Sequence, residues 1–216
     1  MTRVTRADAA SVDPARARYV LWEYDHTPFA PGARVLDVGF GDGDVLRSLA
    51  ARGCTAVGID VALAPDSRGV HGAARLLLAR AEALPFRDAS FDGAIMKVVL
   101  PYTHERVAVR EVARVLRPGA GWELSVHGIG YYLRLLLRSP FRRRVYAART
   151  ILNTLVYRAT GARWLVGTTI YQSTARLTRD LERHGIRVTR VTPSPTFAGL
   201  PYFIYLRVEK MIAPSG

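Results

Sequence analysis

A chain of 216 residues, 49% hydrophobic and 23% charged, has the composition of a folded domain with a sizeable core and room for one inserted cap. Its one cysteine, Cys54, excludes an internal disulfide framework and a cysteine-rich metal site, so no metal is expected. The net charge of +13 is unevenly placed: between Ile129 and Arg190 thirteen arginines stand against only Asp180 and Glu182, and the rest is nearly balanced.

The first residues lack the apolar stretch of a secretory leader, and no apolar run reaches the roughly 18 residues of a membrane span, so a cytoplasmic location is expected. Residues 1–33 read as a frayed start, a helix over Pro14–Tyr24 with proline in its first turn, and a loop. Tyr19, Trp22 and Tyr24 on that helix are expected to pack. Then comes the stretch around which the chain is organised, Val35-Leu36-Asp37-Val38-Gly39-Phe40-Gly41-Asp42-Gly43. A short apolar strand carrying an acid runs into three glycines at alternate positions, where backbone must turn tightly and approach a ligand closely. Val45–Arg52 has helical apolar spacing and stops at Gly53. Strand, glycine turn and helix together point to a nucleotide-like ligand at the carboxyl end of a parallel strand.

The second strand, Ala56–Ile59, closes on Asp60, 17 residues past Gly43, where a carboxylate can accept hydrogen bonds from a ribose diol. Pro65, Gly69 and Gly72 interrupt the next stretch, so a short irregular loop is expected in place of a full helix, with His71 solvated in it. Strands follow at Arg75–Ala79 and Gly93–Lys97, separated by a turn containing Leu84-Pro85-Phe86. A helix over Arg106–Leu116 ends at Arg117-Pro118-Gly119-Ala120-Gly121, and a fifth strand, Trp122–Val126, has His127 at its tip. After residues 129–167, a helix over Tyr171–His184 and strands over Ile186–Val191 and Tyr202–Val208 complete the chain.

Five segments in this order and spacing resemble the class I S-adenosylmethionine-dependent methyltransferases, in particular the branch acting on quinones, sterols and secondary metabolites. They are Val35–Gly43, Gly58-Ile59-Asp60, Ala81-Glu82-Ala83-Leu84-Pro85-Phe86, Ser90-Phe91-Asp92, and Glu111-Val112-Ala113-Arg114-Val115-Leu116-Arg117-Pro118-Gly119. Dinucleotide oxidoreductases share the fold but lack the Leu-Pro-Phe and Arg-Val-Leu-Arg-Pro-Gly pair. The resemblance implies an α/β, Rossmann-like, seven-stranded and mostly parallel sheet with an antiparallel last strand. Within a single methyltransferase domain, 34–128 would be the cofactor-binding core, 129–167 a helical cap insertion, and 168–216 the last helix and hairpin.

The resemblance also implies S-adenosylmethionine as cofactor and gives residues their roles. The turn of Gly39, Gly41 and Gly43 would carry the methionine part and Asp37 would orient the turn and the amino group. Asp60 would bind the ribose hydroxyls, Val61 would lie against adenine, and the backbone of Ala81 would meet the adenine edge. Relatives carry an acid just before the Ala-Glu pair where this chain has Arg80, so either Arg80 turns away and Glu82 or a carbonyl substitutes, or adenine sits loosely. Methyl transfer rests on in-line positioning and exclusion of water. A base for a hydroxyl or carbon acceptor would come from Lys97, Tyr102 or His127 at strand ends, with His104 expected at the surface.

The extra segment reads as two amphipathic helices, the first over Tyr131–Arg138 and the second over Phe141–Thr160. On the second, Val145, Ala148, Leu152, Leu155 and Ala159 share one face and Arg142, Tyr146, Arg149 and Asn153 another. A lid over an apolar or anionic small substrate is the leading expectation. A membrane-surface attachment, a nucleic-acid groove and a dimer interface are alternatives, although no recognised RNA module accompanies the basic residues. The expected activity is biosynthetic methyl transfer to a small-molecule acceptor. Its alternatives are a fold that binds the cofactor without transferring methyl, as a binding module or cyclisation catalyst, and methylation of a lipid at the bilayer surface.

Overall fold

The computed structural model of the chain describes residues 29–63, 74–160, 169–192 and 194–212. The expected helix over Pro14–Tyr24, the interrupted loop and His71 lie outside the described residues. Val35, Leu36 and Val38 are all buried, and a strand apolar on both faces belongs in the interior of a parallel sheet. Strand β1 (Arg34–Val38) is there, flanked in parallel by β2 (Thr55–Asp60) and β4 (Phe91–Lys97). With β3 (Ala74–Leu78), β5 (Leu116–His127), β6 (Ile186–Thr192) and β9 (Phe203–Lys210), the sheet has seven strands in the order β3-β2-β1-β4-β5-β9-β6. β9 runs antiparallel to both β5 and β6, as expected of the last strand. A short ribbon of β7 (Thr196–Phe197) and β8 (Leu200–Pro201) was not foreseen.

After β1 the chain builds outward through β2 and β3, then returns to place β4 on the opposite side of β1. That reversal opens a crevice above the carboxyl ends of β1 and β4. Five described helices accompany the sheet: α1 (Asp44–Ala51), α2 (Glu105–Val115), α3 (Ile129–Arg138), α4 (Phe141–Thr160) and α5 (Thr174–Glu182). Most boundaries fall within one or two residues of the reading of the sequence, and two differ by more. β5 begins at Leu116 and runs through the Arg-Pro-Gly segment, its pairing with β4 jumping from Phe91–Leu116 to Gly93–Gly121. The extra residues form an irregularity in the ladder where a terminated helix and turn were expected. α5 starts three residues late because Tyr171 is committed elsewhere: its N–H donates to Thr154 Oγ1 of α4 at 3.0 Å.

The motifs of the chain's middle are tied together by charge. Arg114 on α2 donates to both carboxylate oxygens of Glu111, to the Phe86 and Leu84 carbonyls at 2.8 and 3.1 Å, and to Asp88. Glu111 in turn accepts the Leu84 N–H at 3.1 Å, so the pair clamps the Leu-Pro-Phe turn to α2 from both sides. Arg117 pairs with Asp92, which also accepts the Arg34 N–H at the start of β1. The Arg114 guanidinium, and the Leu84 N–H with it, hold the Glu111 carboxyl below its usual value, while the Arg34 N–H and the Arg117 guanidinium do the same for Asp92. Groups lowered in the folded state stabilise it fully above their unfolded values, 4.5 and 3.8, and lose that contribution as acid protonates them.

Neither face that the spacing outlined on α4 is the one packed inward. Ala147, Thr150, Asn153 and Thr154 are buried, whereas Val145, Ala148, Leu152, Leu155 and Ala159, together with Arg142 and Arg149, are exposed. The inward polar face is bonded: Thr154 donates to the Thr150 carbonyl at 2.7 Å, and the Tyr146 and Thr150 hydroxyls meet Thr169 Oγ1 at 3.0 and 3.3 Å.

Replacing Arg114 by Met strands Glu111 and two carbonyls, and is expected to cost about 2 kcal/mol, the range for a hydrogen-bonded charged group. The check is urea unfolding at pH 7. The double variant with Glu111→Gln should then lose clearly less than the sum of the two single changes.

Candidate active site at the switch point of the sheet

The crevice begins with the turn after β1. Gly39, Gly41 and Gly43 have φ of +76°, +53° and +84°, values that L side chains rarely adopt. The Gly39 and Phe40 N–H groups donate to the Ile59 carbonyl at 2.7 and 3.3 Å, and the Gly41 N–H donates to Asp60 Oδ2 at 3.0 Å. Asp60 Oδ1 accepts the Ala62 N–H at 3.2 Å. The carboxylate that closes β2 therefore pins the glycine turn as well as facing the crevice. A Cβ at Gly39 would overlap the Val99 side chain, whereas one at Gly41 would meet no protein atom within 4 Å.

The crevice has a volume of about 390 Å³, within the size range of small-molecule sites. Its lining includes Gly39, Asp60, Val61, Ala81, Glu82 and Tyr102 among the residues singled out in the sequence. Asp37 is buried beneath it on β1, Gly41 joins through Asp60, and Gly43 caps α1. Val61 is 71% exposed, an apolar surface held in the open beside an acid. Arg80 also reaches the rim, but its guanidinium is largely exposed and turns toward Glu82 at 3.5 Å. Burial alone would raise the Glu82 carboxyl, yet the His104 N–H at 2.9 Å, the Glu82 N–H and the charges of Arg80 and His104 outweigh it and hold the group low. Glu82 thus fixes the start of α2, with His104 exposed at its cap as expected.

The far wall was not legible in the sequence. Val98, a β-branched residue, has φ of +54°, an outlier for its type. Its N–H is held by the Ser125 carbonyl at 2.8 Å and its side chain packs with Tyr202, Phe203 and Tyr205. This strained corner brings Val99 against Gly39, and Val98, Val99, Tyr102 and Thr103 line the crevice together.

The three base candidates are separated. Tyr102 lines the crevice and is 62% exposed, whereas Lys97 and His127 do not line it. The His127 ring is stacked on Tyr131 at 3.8 Å between centroids and flanked by Tyr132 and Phe203. Burial drives its pKa down from 6.5 to about 4, so it is neutral at physiological pH.

The donor set suits an adenosyl sulfonium: a carboxylate for a diol, an apolar surface for a ring, and an open glycine turn for a chain with charged ends. Residues 36–121 match the family model described as methyltransferase domain. The chain is 37% identical over 99 residues to an O-methyltransferase of Aspergillus nomiae, covering 41% of this chain and 44% of that one. It is 34% identical over 90 residues to the demethylmenaquinone methyltransferase of Corynebacterium kroppenstedtii, covering 41% and 39%. It spans under half the length of each of these relatives. A solved S-adenosylmethionine-dependent methyltransferase from Methanosarcina mazei shares the fold, with a TM-score of 0.63 at 22% identity, covering 90% of this chain and 98% of that one. Over residues 36–121 the chain is thus similar to the methyltransferase-domain family, and it shares the fold of a solved S-adenosylmethionine-dependent methyltransferase.

Two predictions follow from the geometry. Gly41→Ala should cost roughly 1–2 kcal/mol in stability, from backbone strain alone, because its Cβ has space in the protein. It should nevertheless lose most affinity for S-adenosylhomocysteine by calorimetry. For His127, the folded pKa lies below the unfolded one, so stability is complete above about pH 6.5 and falls as pH drops toward 4. The loss should approach 3 kcal/mol, and His127→Phe should flatten the slope of melting temperature between pH 6.5 and 4.5.

Proposed function

We propose that this protein transfers the methyl group of S-adenosylmethionine to a small apolar or anionic acceptor of the quinone, lipid-like or secondary-metabolite kind. The observation that carries the proposal is the single crevice wall shared by Asp60, Val61 and Ala81 at one end and Val98, Val99 and Tyr102 at the other. The cofactor supplies a sulfonium-activated methyl group. Asp60 holds the ribose diol while keeping the glycine turn closed, Val61 supports the adenine and the Ala81 backbone meets its edge. Gly39 and Gly41 admit the methionine part, with Asp37 and Gly43 ordering the turn from below.

We assign acceptor contact to Tyr102, whose side chain stands at the rim beside the apolar Val98 and Val99. Lys97 and His127 serve as positioning residues. The neutral His127 ring, stacked on Tyr131, orders the aromatic layer behind Val98. Glu82 acts through the His104 backbone, fixing where the segment carrying Tyr102 ends and α2 begins. The relative named a demethylmenaquinone methyltransferase supports a quinol-like acceptor, and the apolar far wall agrees with one. Because α4 turns Ala147, Thr150, Asn153 and Thr154 inward, enclosure of the acceptor falls to the segment of Val98, Val99 and Tyr102.

The test is incubation with methyl-labelled S-adenosylmethionine and a panel of quinols, phenols and small carboxylates, read by mass spectrometry. A labelled product is expected, and Tyr102→Ala should raise the acceptor KM at least fivefold while cofactor affinity stays within twofold. Tight cofactor binding with no labelled product across the panel would instead favour binding without transfer.

A further inference from the structure

We infer that the outward face of α4 docks on an anionic membrane surface, independently of which acceptor the crevice takes. Phe141, Val145, Ala148, Leu152, Leu155 and Ala159 recur at alternating spacings of four and three, so they form one straight stripe along a helix of 20 residues. All six are exposed, with Phe141 78% open, and Leu137 on the preceding turn adds a further exposed apolar side chain. The stripe is about 30 Å long at the rise of an α-helix. Contiguous apolar surface of this kind marks an interaction site when polar residues border it.

The orientation is built in. The opposite face holds Ala147, Thr150, Asn153 and Thr154 in the interior, and the threonine hydroxyls bond to α4 itself, to Thr169 and to the Tyr171 backbone. Rotating α4 to bury the stripe would push those hydroxyls into water and break the bonds to Thr169 and to the Tyr171 N–H. The stripe is therefore exposed by the fold's own hydrogen bonding.

Charge selects the occupant. At about 100° per residue, Arg142 and Arg149 border one side of the stripe and Arg144 and Arg158 the other. All four are exposed, and no acidic residue occurs between Glu123 and Asp180. A second copy packed on the same stripe by two-fold symmetry would set arginines against arginines with no carboxylate from either α4 to neutralise them. A bilayer rich in anionic headgroups answers both features, taking the apolar stripe at the acyl boundary and the arginines at the phosphates. No described helix is long and apolar enough to cross a membrane, so the contact is a surface one.

The experiment is co-sedimentation of the full chain with vesicles of pure phosphatidylcholine and with vesicles containing 30% phosphatidylglycerol, beside sedimentation velocity without lipid. The expected result is binding at least tenfold stronger to the anionic vesicles, weakened severalfold by 0.5 M salt. Leu152→Glu with Leu155→Glu should abolish it, and Arg142→Glu with Arg149→Glu should weaken it about tenfold. Both pairs are exposed, so melting temperature and S-adenosylhomocysteine binding should stay unchanged, which separates this result from failure of the methyltransferase reading. Equal binding to neutral vesicles, or no binding to either, would overturn the proposal. So would a dimer that Leu152→Glu with Leu155→Glu dissolves, which would give the face to a second copy, or vesicle binding released only when residues 1–28 are removed.

Discussion

Three successive N–H groups of the turn after β1 are bound to the last two residues of β2, and the active crevice depends on that attachment. Gly39 and Phe40 donate to the Ile59 carbonyl and Gly41 donates to the Asp60 carboxylate. The parallel ladder thus continues past the end of the strand into the loop. A turn with three left-handed residues has many alternative conformations in solution, and these bonds select one. From the other side, Val99 fills the place a side chain at Gly39 would take. The turn is held between the tips of β2 and β4, on either side of the point where strand order reverses. A change at Asp60 would therefore loosen the turn itself, besides altering the lining of the crevice.

The rest of the core positions this attachment by ionic clamps. Arg34 starts β1 and donates its N–H to Asp92 at the start of β4, which is neutralised by Arg117 at the start of β5. Three adjacent parallel strands are thereby tied at their amino ends, opposite the crevice. Arg114 and Glu111 do the same for the Leu-Pro-Phe turn that leads from the crevice residues Ala81 and Glu82 into β4. These carboxylates and guanidiniums are half-buried and multiply hydrogen-bonded, the setting in which ion pairs contribute to stability beyond the small value of an exposed pair.

What the sequence carried depended on how local the cause is. The succession of strands along the chain, the glycine turn and the acid on β2 follow from short apolar runs punctuated by glycine, and those are local signals. The outward turn of Arg80 was also within reach, because Glu82 two residues later offers it a partner. The motif segments Ser90-Phe91-Asp92 and Glu111–Gly119 were legible as a resemblance, but their physical task as strand and turn clamps was visible only once Arg34, Arg114 and Leu84 were brought together. Val98 gave no signal at all: a valine in a left-handed conformation is imposed by Ser125 and the aromatic residues of β9, far away in the chain. His127 was well placed by its strand end, yet the aromatic residues stacked on it come from α3 and β9.

The cap shows the limit of periodicity most clearly. Spacing divided α4 into an apolar and a polar face, but period alone does not say which face turns inward. Burial of the apolar stripe would gain about 25 cal/mol for each Å² removed from water. Against this stand the Thr150 and Tyr146 hydroxyls, which meet Thr169, and the Tyr171 N–H, which donates to Thr154, contacts made only in the observed orientation. Leaving such groups buried and unbonded costs about 1–3 kcal/mol apiece, which is enough to offset a stripe of small and medium side chains. The same arrangement explains why the segment carries arginines and no acids. A helix whose apolar face must remain outside is kept from pairing with its own copies by like charge, and that charge also determines what it can meet.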